Sequence, residues 1–200
     1  MTEVELRDGS SVEIRPLGEQ DRAALAAGFE RLSDLSRYRR FLSPTHHLTA
    51  GQLTYLTEID HHDHEALVAV DPSSRDGVAV GRYVRSGSDP NEAEFAVAVA
   101  DDWQQRGLGT TLLRHLAARA REEGVMRFTA LVLADNEPVR HMLETFGPVQ
   151  QRAVGDGTVE VCLPLPDDPF AGEETPRLAG WMRAAATGEL ESRLAARRRA

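Results

Sequence analysis

Near the start of the chain, Val12 and Ile14 alternate with polar neighbours in SSVEIRPL, the two-residue period of a strand with one buried face. With EVELR before it and Asp8-Gly9 between, the stretch predicts two short strands around a turn. The period then lengthens. In EQDRAALAAGFERLS, Leu25, Phe29 and Leu32 fall on one face of a helix. SRYRRF, Ser36 to Phe41, continues as a short basic helical segment broken by Pro44. Thr49 and Gln52 have capping-box spacing ahead of Leu53 and Leu56, which predicts another helix. Three strands follow: HEALVAV (64–70), GVAVGRYVR (77–85) and AEFAVAV (93–99). A helix is expected from about Leu108 to Glu123, with Leu112, Leu116 and Ala120 as its apolar stripe and Gly124 as its stop. RFTALVLA (127–134) reads as a buried strand. NEPVRHMLETF reads as a helix with Asn136 at its cap and Pro138 in its first turn. VQQRAVGDGTVEVCLPL reads as a hairpin turning at Asp156-Gly157.

This order places antiparallel pairing first and β-α-β crossovers later, so the expected class is a mixed α/β (α+β) sheet, not a doubly wound one. Residues 1–165 make up the expected domain. After Pro166 a polar, proline-bearing linker leads to a helix-forming, basic-ended segment, an appendage over 166–200 that packs on the core or binds a partner.

Composition narrows the picture. The 200 residues carry a net charge of −9 and one cysteine, Cys162. A single cysteine allows no intrachain disulfide. The acidic balance argues against nucleic acid, whose binding needs neutralised phosphates, and would favour a cationic acceptor such as an amine, which an acidic groove would suit. No run nears the ~18 apolar residues of a membrane span, and no signal peptide is evident. The cytoplasm is the default, with no membrane partner.

Between strand 93–99 and the helix that follows stands DDWQQRGLGTTLL. A helix N-terminus offers unpaired N–H groups and partial positive charge, so it holds an anion without lysine. Gly107 and Gly109 remove Cβ atoms that would block approach, and Arg106 can add a charge-assisted contact. The alternative is a turn before an ordinary helix. Gln104 to Gly109 fits Q/R-x-x-G-x-G/A directly after Val97-Ala98-Val99. In this it resembles the acetyl-CoA loop of the GCN5-related N-acetyltransferases, the GNAT superfamily, and the element order agrees from Val12 to Leu163. RYRRF, LTYLTEIDHHDHEALVAV, AVGRYVR and the loop itself are similar to the catalytic domain of bacterial Pat-type protein lysine acetyltransferases over Arg37 to Gly147. The larger Pat proteins join this domain to a nucleotide-binding or ligase-like domain, and neither is expected within these 200 residues.

The resemblance implies a GNAT fold: a mixed, mostly antiparallel sheet of six to seven strands, helices on both faces, and a splayed strand pair where acetyl-CoA lies. It implies acetyl-CoA as co-substrate and no metal. Gln105, Arg106, Gly107, Leu108, Gly109 and Thr110 would hold the pyrophosphate. Val97 and Val99 would contact pantetheine through their backbones. Asn136 would bond the pantetheine arm, its other role being helix capping. Acetyl transfer to an amine also needs a base near this strand. Glu94 fits the resemblance, partial burial would raise its pKa, and Glu92 is its competitor on the same face. If Glu94 faces solvent, it serves only solubility. The tyrosine that many members carry seven residues after the asparagine is Leu143 here.

DHHDH, Asp60 to His64, reads as a loop capping the next strand, since no second ligand cluster supports a metal. His46-His47 stays ambiguous. Arg37 to Phe41 either borders the acceptor site, as in the family, or is a helix with one buried aromatic face. Cys162 is expected to be a small buried hydrophobe. The leading expectation is an acetyl-CoA-dependent N-acetyltransferase acting directly on a primary amine, with a protein lysine implied by the resemblance. The alternatives are a polyamine or aminoglycoside-type acceptor, or a non-catalytic acyl-CoA sensor. A homodimer through the tail stays open.

Overall fold

A computed structural model describes residues 1–171. Strands β1 (Thr2–Glu5) and β2 (Ser11–Pro16) form the expected hairpin. Helices α1 (Arg22–Glu30), α2 (Asp34–Phe41) and α3 (Ala50–Thr57) follow, then strands β3 (His64–Val70), β4 (Gly77–Arg85) and β5 (Glu92–Val99). Helix α4 (Leu108–Glu122), strand β6 (Arg127–Leu133), helix α5 (Glu137–Glu144) and the hairpin β7 (Gln150–Gly155) and β8 (Thr158–Pro164) complete the order. Met1–Pro169 form one compact unit. The helical segment expected near the C-terminus lies outside the described residues.

The strands form one eight-stranded sheet in the order β1-β2-β3-β4-β5-β6-β8-β7. All neighbours are antiparallel except β5 and β6. The sheet exceeds the expected six to seven strands by including both edge hairpins, and edge strand β7 is exposed along its whole length.

Alternation sorts the core into two layers. Val12, Ile14, Leu67, Ala69, Tyr83 and Phe95 face one side, where Leu108, Leu112, Leu116 and Ala120 of α4 pack on them. Ala66, Val68 and Val70 face the other side with Leu17, against Leu25 of α1 and Val80. Helices therefore cover both faces. Cys162 departs from expectation. Its neighbours Val161 and Leu163 are buried, so the two-residue period turns Cys162 to the other face, where it is half-buried.

Candidate active site

The parallel pair β5 and β6 supplies the site's geometry. The strands pair only from Glu92↔Arg127 to Glu94↔Thr129. Beyond that point β5 stays paired with β4 through Val99, and β6 stays paired with β8 through Leu133. The backbone groups of Val97 and Val99 on the β6 side are thus left without a strand partner, in a gap bounded by two intact ladders.

The gap opens into a cleft of about 390 Å³. Its floor is Val97, Ala98 and Val99, and its end wall is the start of α4. Gly107 is the N-cap of α4 and no side chain caps the helix, so the N–H groups of Leu108, Gly109 and Thr110 face the cleft without intrahelical acceptors. Gln105 and Gly107 both have left-handed φ, +63° and +86°. Such alternation turns successive N–H groups into an anion-binding concavity. A Cβ on Gly107 would stand 3.3 Å from Arg7 Cδ, and one on Gly109 would stand 3.3 Å from Met142 Sδ.

Asp101 braces this loop to α2. Its carboxylate accepts from Ser33 N at 2.8 Å, Ser33 Oγ at 2.8 Å and Ser36 Oγ at 2.7 Å. Partial burial acts to raise its pKa, but these bonds outweigh burial and hold the carboxyl below its ordinary value. Gln104 donates to Ser36 Oγ at 3.2 Å and to Val99 O at 3.1 Å. Helix α2 in turn places Arg39 and Arg40 on the cleft wall, joined by Arg7 from the first hairpin. None of these three has a carboxylate within 4.0 Å among the described residues, and Arg39 Nε is buried with no hydrogen-bond partner.

Most of the expected site residues meet here. Val97, Val99, Gln105, Gly107, Leu108, Gly109, Thr110 and Asn136 all line the cleft. Asn136 is 4% exposed, and its side chain makes no cap hydrogen bond to α5. The expected capping role is therefore not taken up, and the amide is left to the cleft. Arg106 is elsewhere. Its guanidinium bonds Asp102 O at 2.8 Å, pairs with Asp8 at 3.2 Å and lies over the Trp103 ring at 4.7 Å.

Glu94 is the last β5 residue paired with β6, at the apex of the splay. The expected partial burial is not found. Glu94 is exposed, because it stands near the start of β5 while its neighbours Ala93 and Phe95 take the buried face. Its competitor Glu92 is held by Arg127 Nε at 2.9 Å. Leu143 is 1% exposed within the core cluster, so the position lacking the tyrosine is filled by packing.

The histidines of DHHDH go to separate partners. Asp60 Oδ1 accepts from the N–H groups of His62 and His64, capping the loop. His61 bonds Glu65, His62 bonds Glu123, and His64 bonds Arg82.

Sequence reasoning did not single out Arg7 and Met142 on the cleft wall, nor give His141 there a role. Trp103 stood inside the quoted loop DDWQQRGLGTTLL, and Arg39 inside the basic-aromatic RYRRF. No carboxylate lines the cleft, and in the adjoining cavity under α1–α3 the one lining carboxylate, Asp21, is bonded to Arg15 at 2.7 and 2.8 Å.

The model of the acetyltransferase (GNAT) family matches residues 32–147. The chain belongs to the GNAT acetyltransferase family. It is 36% identical over 172 residues to acetyltransferase Pat of Mycolicibacterium smegmatis, covering 85% of this chain and 51% of Pat. The chain thus spans about half the length of that relative. It is 35% identical over 156 residues to an acetyltransferase of Pseudomonas aeruginosa, covering 76% of this chain and 83% of the relative. Among solved structures, the GNAT domain of S. lividans PAT superposes with a TM-score of 0.77 at 35% identity, over 82% of this chain and 96% of that one. A Salmonella typhimurium putative acetyltransferase solved with its cofactor acetyl-CoA shares the fold, with a TM-score of 0.63 at 18% identity over 82% of this chain and 98% of that one. Among the described residues of this GNAT member, no helix is long and apolar enough to cross a membrane.

Proposed function

We propose that the protein transfers an acetyl group from acetyl-CoA directly to a primary amine, with a protein lysine side chain as acceptor. The observation that carries the reading is the splay. β5 leaves β6 after Glu94, beside a helix N-terminus whose first N–H groups are uncapped. These residues fit the co-substrate part by part. The N–H groups of Leu108 to Thr110, with Arg7 and Arg39, suit a pyrophosphate. The free edge of Val97 and Val99 suits an amide-bearing arm, and the Asn136 amide supplies a further donor and acceptor. A thioester carbonyl held against this edge would be polarised by backbone N–H groups, which need no reorganisation during the reaction. Glu94 at the apex is the group we assign as base for the ammonium, directly or through one water. Glu92 is unsuited because Arg127 holds it. Lysine as acceptor rests on the resemblance to Pat-type enzymes, and a small amine is favoured by one feature, the largely apolar cavity adjoining the cleft.

Release of CoA thiol from acetyl-CoA, measured against lysine-bearing proteins and small amines, tests the reading. Glu94→Gln should lower kcat/KM at neutral pH by about 10²-fold, with acetyl-CoA affinity unchanged by calorimetry. Unchanged turnover would remove Glu94 as the base. Tight acetyl-CoA binding without transfer to any acceptor would favour a sensor.

A further inference from the structure

Behind β5, on the face opposite α4, lies a second void of about 180 Å³, several times the ~30 Å³ that a water takes in the liquid. Its walls are largely apolar, with Leu17, Leu25, Phe29, Leu56, Val68 and Val80 among them. It adjoins the cleft, since Leu32, Arg40 and Ala98 line both.

Four arginines line this void, and they are not equivalent. Arg15 is neutralised by Asp21 at 2.7 Å, and Arg75 by Glu13 at 2.9 Å. Arg82 is 5% exposed and bonds only neutral acceptors, the His64 ring at 3.1 Å and Leu56 O at 3.1 Å. Burial and the charge of Arg40 push its pKa down to about 10, so it remains cationic at neutral pH. Arg40 lies over the Phe41 ring at 4.9 Å and has no ion-pair partner among the described residues, although Glu94 acts on it through space. Arg82, fully buried and with its charge disfavoured by Arg40, therefore shares this cavity with a second guanidinium, and neither has an ion-paired carboxylate among the described residues, the acidic influence on Arg40 being Glu94 at longer range. A buried, uncompensated charge is costly, and fixed guanidinium donors match a carboxylate.

We infer that this cavity is a binding site for a small carboxylate with an apolar body, its acid group between Arg40 and Arg82 and its body against the aliphatic walls. The carboxylate has two possible sources: a free acid, or the acid end of an amine-bearing acceptor such as an apolar amino acid. The second source rests on the acetyl-transfer reading. The first does not.

Calorimetry on the full chain with 4-methylpentanoate, its uncharged amide and leucine tests the site, and CoA release with leucine and acetyl-CoA separates the sources. The acid is expected to bind about tenfold or more tightly than the amide. Arg82→Met should abolish that preference with acetyl-CoA affinity retained, which also shows that the variant folds. Arg40→Met provides a second arm and should weaken acid binding in the same sense. Leucine-dependent CoA release would make the cavity the acceptor site, whereas acid binding without release would make it a separate ligand site. Equal binding of acid and amide, no binding of acid or leucine, or acid binding unchanged in both variants would overturn the assignment. Loss of acetyl-CoA binding by the unmutated protein would overturn the transfer reading instead.

Discussion

Gly107 combines a left-handed φ of +86° with a Cβ position 3.3 Å from Arg7 Cδ. A β-branched side chain there is strained in backbone and crowded in space. Gly107→Val should weaken acetyl-CoA binding by about 10²-fold or more in calorimetry, with the far-UV spectrum unchanged. Unaltered affinity would refute the loop as the pyrophosphate site. This residue was legible in the sequence because its signal is local: two glycines, at 107 and 109, opening an apolar helix right after a strand. Asn136 was legible as a cap or a ligand contact, and the absent cap bond favours the contact. Arg7 was not legible. It lies a hundred positions upstream of Gly107 in a hairpin turn, and only the strand order brings it to the cleft. The strand position of Glu94 was readable but its exposure was not, since a strand's sequence does not tell how far helices cover its ends.

The decisive join between elements is Asp101, which fastens the start of α2 to the turn after β5 with three hydrogen bonds. Removing the carboxylate leaves Ser33 N–H and two hydroxyls to water and frees α2, which carries Arg39 and Arg40. Asp101→Ala should therefore raise KM for acetyl-CoA about tenfold with a smaller effect on kcat, read from initial rates of CoA release. Equal loss in both parameters would place the brace in the chemistry instead. Element identity was readable from periodicity, and each strand and α-helix of the first 165 residues was anticipated, whereas the short 3-10 turn at Asp101–Trp103 was read as loop. The brace was not, because its partners are 65 and 68 residues apart and serine and aspartate are common in any loop.

At the scale of the molecule, a net charge of −9 coexists with two arginine-lined cavities on either side of β5. Summed charge reports on the surface and says nothing of which sign is folded inward, which is why net charge did not reveal the inward arginines. Inward charge also sets the acid response. Burial, with Arg82 next in effect, lowers the His64 pKa from 6.5 to about 4. Between those values the unfolded chain binds a proton that the folded chain refuses, so this contribution is fully present above pH 6.5 and is lost as pH falls toward 4. Discounted for partial exposure, it amounts to about 1–2 kcal/mol. Urea midpoints at pH 7 and pH 5 should fall further in the unmutated protein than in His64→Gln. Equal falls would remove His64 from the account.

The sheet itself is two plates. One holds β1 to β5, the other β6, β8 and β7, and only three residue pairs stitch them along their shared border. Across that border the two plates are also joined by packing, with Phe95 of β5 stacked on Phe128 of β6. A flexible arm laid along the open part of the border would therefore sit where a strand is missing, and the fold holds that seat open without it.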